Sequence, residues 1–149
     1  MGKDANLEVE VFDKKKIESL KFGGLLAVNQ GSVTPATFTI ITHKPKDAIN
    51  KKPFVFVGKG ITFDSGGMNL KPGNYMNDMK SDMSGGAIVG GLMYAIAKNK
   101  LPIYTIGLIP ATDNRVNGNA MISGDIITMF NKKTVEISNT DAEGRLILA

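Results

Sequence analysis

The 149-residue sequence contains no cysteine and one histidine, and 42% of its residues are hydrophobic. These counts exclude a disulfide framework, a thiolate metal site and a site built from several imidazoles, so any metal must be held by oxygen ligands or by a lysine amine. The length suits one domain. The net charge of +4 is mildly basic, and the only lysine run, at residues 14–16, is more typical of a solvated helix face than of a nucleic-acid interface.

The sequence also carries no feature that predicts a membrane location. No apolar run reaches the roughly 18 residues that a membrane span requires. Residues 1–6 lack the apolar core of a signal peptide, and residue 6 is Asn where the myristoylation pattern requires Ser or Thr. We therefore expect a cytoplasmic protein with no membrane partner.

The first elements in the chain are predicted to be a strand and a helix. Residues 7–12 alternate apolar and acidic side chains, which is typical of a half-exposed strand. Asp13 is placed to cap a helix that extends to about Phe22, and the Gly23-Gly24 pair is expected to stop it. A short apolar run, residues 25–28, follows before a turn.

Two further strands precede a long segment without periodicity. Residues 37–42 are β-branched and aromatic, which predicts a strand. Residues 53–57 are continuously apolar, which is typical of a central strand covered on both faces. Residues 58–77 contain five glycines and no period, and a loop of this length in a compact domain is usually functional.

A glycine-rich helix and another buried strand follow. The helix is predicted to start at Ser81 or Asp82 and to extend to about Lys98, and its four glycines suggest close packing on a sheet. Residues 103–109 predict a buried strand, and residues 110–124 predict a loop.

The last part of the chain predicts a hairpin and the start of a helix. Residues 125–130 and 134–138 are the two expected strands of the hairpin. Thr140 and Glu143 have the spacing of a capping box. Strands alternating with helices predict an α/β domain, in which the loops after several strands can meet at one sheet edge. Because the sequence ends within the second turn of the last helix, we expect it to be part of a longer protein.

Four carboxylates are candidate metal ligands. Asp64 and Asp82 lie in the glycine-rich segment and its following helix, and Asp141 and Glu143 lie near the end of the chain. Four carboxylates are enough to bridge two divalent ions. Oxygen ligands favour Mg²⁺ or Mn²⁺, although Zn²⁺ also binds oxygen. Each residue also has a purely structural explanation: an Asx turn for Asp64, a helix N-terminal acid for Asp82 and a capped helix start for the other two.

Three basic residues in the same segments complete the candidate site. Lys59 could ligate a metal only as a neutral amine, which the field of two dications would favour by lowering its pKa. Lys71 could polarise a carbonyl and stabilise an oxyanion. Arg145 could hold a small anion or a water molecule. Taken singly, each is more often a solvated surface residue.

Residues 139–146, Asn-Thr-Asp-Ala-Glu-Gly-Arg-Leu, resemble the signature octapeptide of the leucyl (cytosol) aminopeptidase family. Residues 58–67, 71–72 and 80–83 are similar to the other active-site segments of that family, in the same order and spacing. The similarity extends from about Leu20 to the last residue.

This resemblance implies the following fold and domain organisation. The fold would be a mixed sheet flanked by helices, part of the zinc-aminopeptidase-like catalytic domain. Residues 1–149 would form the N-terminal part of that domain, and the N-terminal domain and the C-terminal remainder found in the family would be absent from this chain.

The resemblance further implies a two-metal aminopeptidase that releases N-terminal amino acids, preferably leucine, from peptides. By analogy, the tighter metal would be held by Lys59, Asp64, Asp82 and Glu143. The more exchangeable metal would be held by Asp64, Asp141 and Glu143, with the backbone carbonyl of Asp141 as a further ligand. Asp64 and Glu143 would bridge the two ions. The ions would be Zn²⁺ or Mn²⁺, with Mg²⁺ as an alternative.

Four other residues receive roles by the same analogy. Lys71 would be the catalytic lysine, and Arg145 would bind a bicarbonate that acts as general base. Met79 and Asn139 would line the substrate site. The full-length protein would be a homohexamer that acts on peptides. Two alternatives stay open for this chain, namely a catalytically inactive fragment and an assembly or binding module of the same fold. The scattered lysines disfavour a nucleic-acid-binding domain.

Overall fold

The computed structural model describes residues 2–149. Its elements in chain order are β1 (Glu8–Phe12), α1 (Lys14–Leu20), α2 (Gly23–Asn29), β2 (Thr37–His43), β3 (Phe54–Val57), β4 (Gly60–Asp64), a 3₁₀ turn (Met79–Met83), α3 (Ser84–Lys98), β5 (Thr105–Asn114), β6 (Ile126–Thr128), β7 (Thr134–Glu136), a second 3₁₀ turn (Thr140–Ala142) and α4 (Gly144–Ile147). Helices are interspersed with the strands along the chain, as expected for an α/β domain.

Five strands form one mixed sheet in the order β1-β2-β5-β3, with β4 also pairing with β5. The pairs β1–β2 and β2–β5 are antiparallel, whereas β3 and β4 are both parallel to β5. β3 pairs with the first half of β5 and β4 with its second half. The two short strands therefore continue one another along the same side of β5, and the break between them falls at Gly58 and Lys59.

Helices cover both faces of this sheet and bury two separate apolar clusters. One cluster joins α1, α2 and α4 through Ile17, Val28 and Ile147. The other joins α3 to the opposite face, with Met93 packed near Ile41 of β2. The prediction of a mixed sheet flanked by helices is confirmed, because apolar side chains leave the strands alternately toward one cluster and the other.

The helix predicted after Asp13 is confirmed, but its predicted stop is wrong. Asp13 Oδ1 accepts a hydrogen bond from the backbone N–H of Lys16 at 2.9 Å, as an N-cap does. The helix ends at Lys21, whose φ of 59° is left-handed. Gly23 and Gly24 instead begin α2, where a Cβ on either glycine would collide with a backbone carbonyl of a neighbouring segment. These glycines permit close packing and do not terminate a helix.

Three predictions about the central strands and loops need correction. β3 is an edge strand and not a covered central one, since Phe54, Val55 and Val57 are all exposed in the described chain. The segment predicted as a loop from residue 58 contains β4, because parallel pairing with β5 orders Gly60–Asp64. The loop predicted from residue 110 begins later, because β5 extends to Asn114.

The glycine-rich helix and the hairpin were predicted correctly. α3 is preceded by a 3₁₀ turn and covers 15 residues, and β6 pairs with β7 as an antiparallel hairpin. The first turn of α3 contacts the strand break directly, with the Gly86 N–H donating to the Lys59 carbonyl at 2.9 Å. Among residues 2–149, no helix has both the length and the apolarity that would let it cross a membrane.

Two substitutions in α3 are expected to have opposite effects on stability. A Cβ on Gly85 would lie 2.8 Å from the backbone nitrogen of Lys59, which cannot move aside, so Gly85→Ala should lower the free energy of unfolding by about 1–3 kcal/mol. A Cβ on Gly91 would meet no atom within 4 Å, so Gly91→Ala should raise it by about 1 kcal/mol through helix propensity alone. Urea unfolding of both variants measures the difference. Equal effects would contradict the close approach of α3 to the strand break.

Candidate metal centre

The candidate ligands come from three places that the sheet brings to one edge. Lys59 lies in the break between β3 and β4, and Asp64 is the last residue of β4. Asp141 lies in the 3₁₀ turn after the hairpin, and Glu143 directly follows that turn. Because β4 and β5 are parallel, their carboxyl ends meet at this edge, which is where sites form in open α/β sheets.

Asp64, Asp141 and Glu143 form the centre of the cluster. One carboxylate oxygen from each lies within 4.8 Å of the others. Asp64 and Glu143 are almost fully buried, at 2% and 1% exposure, whereas the Asp141 side chain is 32% exposed and opens the cluster to solvent. Carboxylates this close repel one another strongly where little water screens them, so the cluster attracts cations.

Two lysines neutralise part of this charge in the described chain. Lys59 Nζ lies 3.0 Å from Asp82 Oδ2 and 2.6 Å from Glu143 Oε1. Asp82 thus joins the site through Lys59, outside the group of three carboxylates. On the other side of the cluster, a second ammonium group bridges two carboxylates in the same way: Lys71 Nζ lies 3.1 Å from Asp64 Oδ2 and 2.6 Å from Asp141 Oδ1.

Burial and these contacts leave the pKa values of Glu143, Lys59 and Lys71 above their ordinary values. Burial raises the pKa of the Glu143 carboxyl above its ordinary value of 4.5; the contact with Lys59 opposes this rise, and the charge of Asp64 adds to it. Burial lowers the pKa of Lys59, but the ion pairs with Glu143 and Asp82 outweigh burial, so the net pKa lies above 10.5. The pKa of Lys71 is raised in the same way by Asp141 and Asp64. In the metal-free chain both lysines are therefore ammonium groups at neutral pH.

The donor atoms fit a divalent cation. Glu143 Oε2 is buried and has no hydrogen-bond partner, and Glu143 Oε1 and Asp82 Oδ2 contact Lys59 only outside hydrogen-bond geometry. An unpaired buried polar group costs about 1–3 kcal/mol, and such a cost is removed when the oxygen ligates a cation. Clustered carboxylate oxygens with a lysine amine suit Mg²⁺, Mn²⁺ or Zn²⁺.

The capping box predicted from Thr140 and Glu143 is wrong. Asn139 is the cap, and its Oδ1 accepts from the Asp141 backbone N–H at 2.7 Å. The Thr140 hydroxyl donates to the Gly66 carbonyl at 2.6 Å, and the Glu143 carboxylate faces Lys59. Both side chains with the capping-box spacing are used in tertiary contacts, which local sequence spacing cannot reveal.

The other predicted site residues lie around the cluster without an ionic contact to it. Arg145 is an exposed residue of α4 and forms no ion pair within residues 2–149. Asn139 is exposed beside Asp141 and caps the turn as described. Met79 is partly buried and begins the 3₁₀ turn that carries Asp82.

Sequence reasoning assigned no role to two asparagines that hold the site together. Asn114 Nδ2 donates both to Asp64 Oδ1 at 2.9 Å and to the Thr140 carbonyl at 3.0 Å. Asn69 Oδ1 accepts from the Thr140 N–H at 2.8 Å, and the Asn69 N–H donates to Thr140 Oγ1 at 2.8 Å. No signal for Asn114 was available, because residues 110–124 were predicted as a loop and the extension of β5 to Asn114 is seen only in the structure.

The fold and site therefore define an α/β domain with a carboxylate centre suited to divalent metal. The chain belongs to the cytosol aminopeptidase family, because the model of that family's catalytic domain matches residues 1–149. This is a family of metal-dependent exopeptidases.

Several curated relatives carry the name probable cytosol aminopeptidase. The chain is 57% identical over 148 residues to the one from Chlorobium limicola and 52% identical over 149 residues to the one from Chloroherpeton thalassium, in each case over 99% of this chain and 29% of the relative. It is 53% identical over 145 residues to the one from Bdellovibrio bacteriovorus, over 97% of this chain and 29% of the relative. The chain thus spans under a third of the length of these relatives.

Raising the pH above 10.5, the ordinary pKa of lysine, is expected to destabilise the metal-free chain. Lys59 and Lys71 bind their protons more tightly in the folded than in the unfolded chain. Their contribution to stability is therefore complete below the ordinary lysine pKa and is lost as the pH rises through the raised folded values. Thermal unfolding as a function of pH should show a shallower alkaline decline for Lys71→Met than for a control, Lys52→Met, at an exposed position. Parallel declines would contradict the ion pairs of Lys71.

Proposed function

We propose that the protein is a two-metal aminopeptidase, which hydrolytically releases N-terminal amino acids, preferably leucine-like ones, from peptides. The observation that supports this most directly is the convergence of Asp64, Asp141 and Glu143 within 4.8 Å. The buried and unpaired Glu143 Oε2 points in the same direction. Membership of the cytosol aminopeptidase family supplies the reaction class.

The proposed ligand sets follow the two pairs of ionic contacts. Lys59, Asp82 and Glu143 would hold the tighter ion together with Asp64, and this assignment is supported by the contacts of Lys59 with Asp82 and Glu143. Asp141, including its backbone carbonyl, would hold the exchangeable ion together with Asp64 and Glu143. Asp64 and Glu143 would be shared because they are the two buried members of the cluster.

The ions are proposed to be Zn²⁺ or Mn²⁺, with Mg²⁺ as an alternative. When bound, two such ions would polarise the scissile carbonyl and acidify water. Lys59 would have to lose its proton to ligate, and its pKa is raised only because Glu143 and Asp82 surround the ammonium group. If added cations neutralised both carboxylates, the pKa of Lys59 would fall, and Lys59 would release its proton to solvent.

Lys71 is proposed to act as the catalytic lysine. Its ammonium group contacts two carboxylates and has three N–H donors, so one donor stays available for a substrate carbonyl oxygen. Its raised pKa keeps the group cationic at neutral pH. A fixed ammonium donor stabilises negative charge as it develops on the carbonyl oxygen in the transition state.

The remaining roles are also proposals. Arg145 would bind a bicarbonate that serves as general base, and its exposed position two residues after Glu143 is compatible with an anion near the cluster. Met79 and Asn139 would line the substrate site. The protein is proposed to act on peptides in the cytoplasm, in keeping with the name cytosol aminopeptidase that its relatives carry. A homohexamer is proposed from the family resemblance alone.

Calorimetric titration of Mn²⁺ into the metal-free chain is expected to give two bound ions. The double variant Asp141→Ala, Glu143→Ala should lose this binding, because it removes two of the three clustered carboxylates. A matched control, Glu8→Ala, Glu10→Ala, removes the same charge from exposed positions of β1 and should bind as the wild type does. Absence of binding to the wild type, or equal binding by both double variants, would reject the proposed metal site.

Hydrolysis is expected in the full-length protein that contains this chain. Supplied with Mn²⁺ or Zn²⁺, it should release leucine from leucyl peptides, and Lys71→Met should lower kcat by about 10²–10³-fold, the loss typical of one oxyanion donor. Lys52→Met is the control of matched charge change. Metal binding without release of leucine would reject the aminopeptidase and favour a non-catalytic binding module of the same fold.

A further inference from the structure

Asn114 occupies the point where the two metal-binding segments meet. It is the last residue of β5, is 2% exposed, and pairs in the sheet with Asp64. Its backbone carbonyl accepts hydrogen bonds from the Ser65 N–H at 3.0 Å and from Ser65 Oγ at 2.8 Å. The main chain of Asn114 thus fixes the start of the loop that follows Asp64, and its side chain is left to make other contacts.

The carboxamide of Asn114 determines which oxygen of Asp64 is available. Asp64 Oδ1 accepts from Asn114 Nδ2 at 2.9 Å and from the Gly66 backbone N–H at 2.9 Å. Two N–H donors occupy this oxygen, whereas Oδ2 faces the ammonium group of Lys71 at 3.1 Å. The carboxylate is therefore held in one rotation, with Oδ2 presented to the cationic side of the cluster.

The same carboxamide also holds the second segment. Its other N–H donates to the Thr140 carbonyl at 3.0 Å, and Thr140 precedes Asp141 in the chain. Gly67 encloses the opposite end of the amide, since a Cβ at this residue would lie 2.8 Å from Asn114 Oδ1. The amide therefore has one well-defined orientation, with both of its N–H donors directed at the two segments that carry the carboxylates.

We infer that Asn114 is a positioning residue of the metal centre, which fixes the rotation of the Asp64 carboxylate and the distance from Asp64 to the turn that carries Asp141 and Glu143. This inference rests on the proposed metal site. Hydrogen bonds that orient a ligating carboxylate tune metal affinity without touching the ion. The role differs from that of a general packing residue, because both N–H donors of one amide form hydrogen bonds to the metal-binding segments.

The test compares Asn114→Ala with Asn29→Ala. Asn29 is an equally buried asparagine whose Nδ2 also makes two hydrogen bonds, to the Thr34 carbonyl and to Thr112 Oγ1, away from the carboxylates. Both variants should lower Tm. Calorimetric titration well below Tm should show that Asn114→Ala weakens Mn²⁺ affinity by about 10–100-fold, whereas Asn29→Ala should bind within about twofold of the wild type, since it leaves the ligands in place.

A spectroscopic readout separates positioning from lost stability. The visible absorption of Co²⁺ bound to the chain reports the geometry of its ligands, and it should change in Asn114→Ala but not in Asn29→Ala. Asn114→Ser has a single hydroxyl donor, one bond shorter than Asn114 Nδ2, which can replace at most one of the two hydrogen bonds, so this variant should lose no more Mn²⁺ affinity than the alanine variant.

Three outcomes would overturn the inference. In the first outcome, Asn114→Ala and Asn114→Ser bind Mn²⁺ as tightly as the wild type does, and their Co²⁺ spectra are unchanged. This result would reject the role of Asn114 and would not affect the proposed metal site. The second is failure of both Asn114 variants to fold while Asn29→Ala folds, which would make the role of Asn114 purely structural. The third is a wild type that binds no Mn²⁺, which would reject the metal site as well.

Discussion

Negative charge confined to a small and largely buried volume is the constraint on which the rest of this structure depends. Oxygens of Asp64, Asp141 and Glu143 lie within 4.8 Å of one another, where the repulsion between carboxylates is large because water is mostly excluded. The ammonium groups of Lys59 and Lys71 offset part of this repulsion. Counting the fourth carboxylate, which Lys59 also contacts, two ammonium groups face four carboxylates. The site therefore keeps an excess of negative charge that favours added cations.

The backbone around the cluster is shaped by the need to place Lys59 there. A continuous strand beside β5 would run straight past the site, but β3 and β4 are separated at Gly58 and Lys59. The first turn of α3 covers this break, and Gly85 and Gly86 let the helix approach so closely that a backbone N–H bonds to the Lys59 carbonyl. The glycine-rich start of α3 is therefore required for the close packing that places Lys59 beside the carboxylates.

The sequence allowed the elements and the ligands to be predicted better than their surroundings. Local patterns were enough for α1, α3 and the hairpin, because a cap, a helix of regular length and a turn are determined by neighbouring residues. β3 was predicted as a central strand because its apolar run has no polar face, yet in this chain its outer edge has no partner among the described residues. β4 was missed because its order comes from pairing with β5, a contact between distant parts of the chain.

The same distinction applies within the candidate site. The carboxylates and lysines could be proposed from residue type and from the family resemblance, and Asp64, Asp141 and Glu143 do lie together. The capping box failed because Thr140 and Glu143 are used in contacts with distant segments. Asn114 was missed because an asparagine in an apparent loop has no distinctive local pattern. Its role becomes visible only when both acceptors of its Nδ2 group, Asp64 Oδ1 and the Thr140 carbonyl, are known.

Ion pairs and hydrogen bonds from uncharged side chains both stabilise this site, but they contact different atoms. Lys59 and Lys71 each join two chain segments through ion pairs, and any added cation would compete with those pairs for the same carboxylates. The hydrogen bonds of Asn114 and Thr140 are made to Asp64 Oδ1 and to backbone carbonyls, which the lysines do not contact. Ion pairs can therefore be exchanged while the hydrogen bonds from the uncharged donors Asn114 and Thr140 keep the segments in place. These hydrogen bonds would therefore preserve the arrangement of the carboxylates when added cations replace the lysine ammonium groups as their partners.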